Sequence, residues 1–193
     1  MIRSMIRSTI NNEQWYKSMR AGNVAGDYEL IESYILGSSQ ASVVFSNLGD
    51  YASTYKHLQI RGAAREDTGG LENIFVRFNG DSGANYRGHQ LYGDGSSVVS
   101  GAQGAGDTFG FVTVTATASD TSNAFGGFVM DITDPFSSTK NTTTRTLGGV
   151  ANRLILLRSA LWINTASVTS ITLLAQSGAN FVSGSRFSIY GIR

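Results

Sequence analysis

From Asp27 onward the chain is cut into short apolar stretches, none long enough for a packed helix, each closed by glycine or a polar turn. This rhythm constrains the fold more than any other feature. YELIESYIL (Tyr28–Leu36) and SVVFSNL are rich in strand formers. KHLQIRGAA (Lys56–Ala64) sets Leu58, Ile60 and Gly62 against Gln59, Arg61 and Ala63. NIFVRFNG (Asn73–Gly80) alternates Ile74, Val76 and Phe78 with Phe75 and Arg77. Period-two alternation of this kind belongs to a strand with one buried face. YRGHQLYG (Tyr86–Gly93), FGFVTVTATA, NAFGGFVMDIT, NTTTRTLGG, RLILLRSALWI, SVTSITLLAQ and RFSIYGI continue the series. About ten strands at intervals of roughly 8–20 residues predict an all-β sandwich or barrel. The segments between them lack helical periodicity and are too short for βαβ units. DGSSVVSGAQGAGD (Asp94–Asp107) reads as a long exposed glycine-rich loop.

Composition agrees. Turning falls to 23 glycines, with Pro135 the one proline. There is no cysteine, which excludes disulfides, thiolate metal sites and a cysteine nucleophile. Charged residues make up 15% of the chain, against a usual share of about 25%. A surface so poor in charge suits a protein that meets other protein.

Residues 1–26 differ from the rest and are expected to form a separate N-terminal arm before a β domain over residues 27–193. Arg3, Arg7, Lys17 and Arg20 face only Glu13 there, while residues 27–193 carry 11 basic and 13 acidic groups. Ile2, Met5 and Ile6 recur at near-helical spacing, and Trp15 and Tyr16 follow. Such side chains are costly to leave in water, so the arm is expected to dock on a partner, whether helical or extended. Its basic residues are too few and too dispersed for a nucleic-acid footprint. MIRSMIRSTI lacks the long apolar core of a secretory signal, and no stretch approaches the roughly 20 apolar residues of a membrane helix. Neither nucleic acid nor membrane is therefore expected as a partner.

Catalytic chemistry finds little support. GAQGAG (Gly101–Gly106) lacks the Lys-Ser/Thr of a phosphate loop. His57 and His89 lie inside strands, with no G-x-S-x-G or H-E-x-x-H motif to recruit them. Glu66 and Asp67 read as a loop tip, with nothing to mark a raised pKa. Asn79, Asp81, Asn85 and Asp94 miss the spacing of a calcium loop, and Asx turns explain them equally well. No catalytic residue, cofactor or metal is expected. Tyr51, Tyr55, Tyr86, Tyr92, Trp162 and Tyr190 could stack on sugars, although aromatic residues at alternate strand positions more often pack a core or an interface.

As a set, YELIESYILGSSQASVVFSNL, YKHLQIRGAAR, VRFNGDSGANY, HQLYGDGSS, FVMDITDP, SALWINTASVTSITL and GANFVSGSRFSIYGI resemble a family of small structural proteins of tailed bacteriophages, common in marine and cyanobacterial phages. The resemblance covers Asp27 to Arg193 and lies in the order of the segments. It implies an antiparallel β-sandwich of jelly-roll type on the virion, assembled in the host cytoplasm, without assigned catalysis. The expected partners are further copies of the chain, as a homo-oligomer with a trimer favoured, and other virion proteins of capsid, portal or tail. The arm residues Ile2, Arg3, Met5, Ile6, Arg7, Trp15, Tyr16, Lys17 and Arg20 would dock there. The alternative is a receptor-binding module that grips host glycan through loops bearing Asp81, Asn85, Tyr86, Tyr92 and Asp94. The closing run, Phe187–Ile192, is expected to be stitched into the sandwich, with SVTSITLLAQ its nearest candidate neighbour.

Overall fold

The computed structural model describes residues 27–193 apart from Ser177. Twelve strands and one 3₁₀ turn (Leu48–Tyr51) form in this span. The strands are β1 (Tyr28–Ile35), β2 (Ser42–Phe45), β3 (His57–Ala64), β4 (Glu72–Phe78), β5 (Tyr86–Gly93) and β6 (Val98–Asp107). They continue with β7 (Gly110–Thr115), β8 (Gly126–Thr133), β9 (Thr142–Val150), β10 (Leu154–Trp162), β11 (Ile171–Leu174) and β12 (Arg186–Ile192). The arm residues fall outside the described residues.

Two antiparallel sheets face each other. The larger runs β1-β12-β3-β8-β9-β10-β5-β6 and the smaller β2-β11-β4-β7. Setting aside β5, β6, β9 and β10 leaves β1-β12-β3-β8 over β2-β11-β4-β7. The first strand then pairs with the last, the second with the second-last, and so inward. That is a long hairpin rolled into two sheets, the jelly roll. The remaining strands are two inserted hairpins. One (β5–β6) lies between β4 and β7 in the chain, the other (β9–β10) between β8 and β11, and both extend the larger sheet beyond β8.

The core follows from strand parity. Phe45, Leu58, Ile60, Ile74, Val76, Phe78, Met130, Ile132, Ile171, Leu173, Phe187 and Ile189 fill the space between the eight rolled strands. A smaller cluster of Val114, Ala116, Val150 and Leu156 sits under the extension.

The last strand packs inside the fold. β12 lies between β1 and β3, with Phe187 opposite Gly62 and Ile189 opposite Ile60. Its neighbours are not SVTSITLLAQ, because rolling sends β11 and β12 to opposite sheets. Tyr190 lies on the outer face, where Arg61 stacks over its ring at 4.9 Å and over Tyr28 at 5.5 Å.

Asp94–Asp107 is not one long loop. A tight turn at Asp94–Ser97 leads directly into β6, which pairs with β5 from Gly93↔Val98 to Tyr86↔Asp107. The ladder bonds backbone to backbone, so a glycine-rich sequence can hold it at a sheet edge. The missing side chains also make room. A Cβ on Gly88 would come within 2.8 Å of the Gln103 amide oxygen.

Candidate functional site

The extension overhangs the smaller sheet. β7, at that sheet's edge, packs under β8, β9, β10 and β5, and beyond it the inner faces of β10, β5 and β6 are left partly uncovered. A cavity of about 260 Å³ opens there, just under the ~300–1,000 Å³ of sites for drug-sized ligands.

Parity on β10 sends Leu156, Arg158, Ala160 and Trp162 inward and Ile155, Leu157 and Ser159 outward. Arg158 is therefore carried into the interior, 8% exposed. Its Nε donates to Gln90 Oε1 at 3.1 Å and its Nη2 to Asn73 Oδ1 at 2.9 Å. The guanidinium stacks over Phe111 at 5.0 Å. Nη1 is buried and has no hydrogen-bond partner among the described residues. No carboxylate pairs with Arg158 among the described residues. Burial lowers the pKa of Arg158 to about 10, so it stays charged at neutral pH.

The surrounding groups are neutral and fixed in orientation. Because Arg158 donates to the Gln90 oxygen, the Gln90 Nε2 amide is left as a donor without a partner among the described residues. Asn73 is held from behind, its Nδ2 donating to Gln176 Oε1 at 2.9 Å. Gln103 is spent on the backbone, donating to the Phe109 carbonyl and accepting from the Phe111 N–H. Tyr92, half-buried, lines the cavity with Leu154 and Leu156. Among the described residues, no acidic side chain lines it.

The residues expected to contact glycan are divided between the two ends of β5. At one end Asp81, Asn85 and Tyr86 build an internal turn. Asp81 Oδ2 accepts from Trp162 Nε1 at 2.7 Å and from Asn85 Nδ2 at 2.9 Å, and Oδ1 accepts from the Gly83 N–H at 2.7 Å. These bonds, led by that from Trp162, hold the Asp81 carboxyl below its ordinary range. Tyr86 is fully buried. Its hydroxyl accepts from the Phe78 N–H and donates to the Asp81 carbonyl, and burial pushes it up to about 12. Tyr86 is a core residue rather than a loop contact, because an inward strand position places it beneath Gly110.

At the other end, Tyr92 reaches the cavity and Asp94 caps the β5–β6 turn. Asp94 accepts from the N–H groups of Ser96 and Ser97 and from both serine hydroxyls, well below the usual carboxylate range. Asn79 is engaged elsewhere, accepting from the Thr169 and Ser170 N–H groups. Of the four oxygen-bearing residues, Asp81 and Asn85 thus share one turn, while Asn79 and Asp94 serve two others. Among the described residues, no three metal-ligating side chains of the His/Cys/Asp/Glu type converge.

His57 lies at the start of β3, where its Nδ1 accepts from the Asp134 N–H at 3.1 Å, and His89 is exposed on the outer face. Glu66 is not on a loop tip. It is fully buried where its segment bridges Phe181, and among the described residues neither carboxylate oxygen has a normal hydrogen bond. Desolvation pushes its pKa up to about 8, and Glu72 and Asp67 add repulsion. The Gln176 N–H points its way and offsets this only in part.

Arg158 went unnoticed among the sequence candidates, although a signal was present. In LILLRSALW it shares parity with Leu156 and Trp162, which places a cation on the buried face. The chain matches no family model, no curated protein and no solved structure.

Proposed function

We propose that this protein is a virion structural module of a tailed bacteriophage, a jelly roll that self-associates and is anchored through its N-terminal arm. One observation carries the self-association. The outer face of the larger sheet bears an apolar row across four strands, Val129 opposite Leu147, Leu147 opposite Leu157, and Leu157 opposite Leu91. Ile155 stands beside it, 63% exposed. At ~4.8 Å per strand the row is roughly 14 Å wide, and a monomer seldom leaves so continuous a patch in water. A second copy suits it best. The neighbouring Asp131–Arg145 pair (3.1 Å) gives the face both signs of charge, and a net charge of +1 leaves little repulsion between copies. The bacteriophage assignment is supported by the order of the sequence segments and by the jelly roll, a fold common in capsid proteins.

The wild type is expected to be oligomeric by light scattering at micromolar concentration. The Leu147→Lys/Leu157→Lys double variant should be monomeric with its fold intact. A wild type that is monomeric at every concentration would overturn the reading. Removing residues 1–20 should leave the oligomer folded but abolish its incorporation into particles, and normal incorporation would remove the anchoring role from the arm.

A second reading, contact with host glycan, is favoured by the cavity at Arg158. A glycan array with the purified oligomer tests it.

A further inference from the structure

The rolled core is apolar, but the inner face of the added hairpins carries a polar row. Thr146 on β9 lies opposite Arg158 on β10, and Arg158 opposite Gln90 on β5. Removing a guanidinium from water costs several kcal/mol unless a counter-charge and full hydrogen bonding offset it. Among the described residues there is no counter-charge, and two hydrogen bonds and a ring face leave Nη1 without a partner there. The Thr146 hydroxyl, beside it in the ladder, is buried and likewise has no partner among the described residues. A cavity that no acid among the described residues lines therefore holds a buried positive charge, and the field of that charge is what an anion would complete.

We propose that this cavity binds a small hydroxylated carboxylic acid, of the kind found as an acidic sugar unit. Gln90 Nε2 is the contact donor. Arg158 draws electron density from the Gln90 oxygen and so strengthens that amide as a donor, as charge-assisted bonds do. Tyr92, which also lines the cavity, carries a second group able to hydrogen-bond a sugar, and Phe111 and Leu156 supply apolar surface for the carbon faces of the ring. One buried cation matches one carboxylate. A phosphate dianion would need more charge than the cavity offers.

This inference narrows the glycan reading above, but it can stand or fall separately. A free sugar acid and the terminal unit of a glycan share this chemistry, and the two are distinguished by comparing solution binding with the array. Acidic monosaccharides that bind in solution without any array signal would support the site and remove the glycan source. Array signal from neutral glycans alone, unchanged by Arg158→Gln, would support the glycan reading and overturn the site.

The direct experiment titrates the full chain with glucuronate and N-acetylneuraminate, using glucose and inorganic phosphate as controls, followed by NMR and thermal shift. Both acids should bind, and glucose and phosphate at least tenfold more weakly. Arg158→Gln and Gln90→Leu should each lose at least tenfold, and Tyr92→Phe a smaller factor. If Arg158→Gln does not fold, Gln90→Leu and Tyr92→Phe on β5 carry the test. The proposal is overturned if neither acid binds at tens of millimolar, if glucose or phosphate binds as well as the acids, or if Gln90→Leu binds like wild type.

Discussion

Replacing Glu66 by glutamine is expected to flatten the pH dependence of stability between about pH 4.5 and pH 8, the ordinary and raised pKa values of this carboxyl. Below 4.5 both folded and unfolded chains hold the proton. Across the window the unfolded chain has released it, while the folded chain keeps it, because a buried anion there would have little beyond the Gln176 N–H among the described residues to offset its desolvation. Folding then takes up a proton, so wild-type stability falls as pH rises and levels off above about 8. The loss is on the order of a few kcal/mol, or roughly 5–10 °C in melting temperature for a chain of this size. Glu66→Gln removes the titration. The two proteins should be close at pH 5, and the variant should melt higher at pH 8. Asp67, Asp81, Asp120 and Asp134 do not blur this result. Their pKa values are lowered from 3.8, so their contributions are lost only under more acidic conditions. Parallel melting curves for the two proteins from pH 5 to pH 8 would refute the assignment.

Trp162→Ala should be the most damaging single truncation. The indole is buried, stacks on Phe78 with ring centroids 5.5 Å apart, and anchors Asp81 through Nε1. Removing it leaves a large cavity at a cost of about 3–5 kcal/mol, a sizeable part of the ~5–15 kcal/mol that holds a domain together. Trp162→Phe keeps most of the packing and loses the hydrogen bond to a charged group, at a cost of about 1.5–3 kcal/mol. Urea midpoints at constant slope measure both. A loss below about 1 kcal/mol for the alanine variant would mean that the turn at Asp81 stands without its anchor.

Sequence patterning reached most of the strands because one-sided burial writes itself as alternation. In GGFVMDIT, Phe128, Met130 and Ile132 alternate with Val129, Asp131 and Thr133, and the faces follow. It missed β6, where glycine supplies ladder bonds without a side-chain pattern. Glu66 went unseen because the segment its backbone bridges, at Phe181, lies more than a hundred residues away. The candidate contacts were drawn from Asx turns and aromatic residues near glycine. Asp81 and Tyr86 in that set turned out to be internal, because polar residues in a tight turn first satisfy one another and the nearby backbone. Tyr92 alone of the set reaches the cavity, and its partner there, Arg158, was hidden inside an apolar run.

The position of β12 bears on how the chain reaches its fold. Among the described residues, residues 28–35 gain their one neighbour in the sheet from residues 186–192. Until that stretch has been synthesised, β1 lacks its pairing with β12 and the main core lacks Phe187 and Ile189. Contacts so distant in sequence place the chain among slow-folding all-β topologies, on the millisecond-to-second scale. A nascent chain halted before residue 186 should therefore remain sensitive to protease however long it waits. The β9–β10 hairpin, whose pairing is local, can form as soon as it emerges.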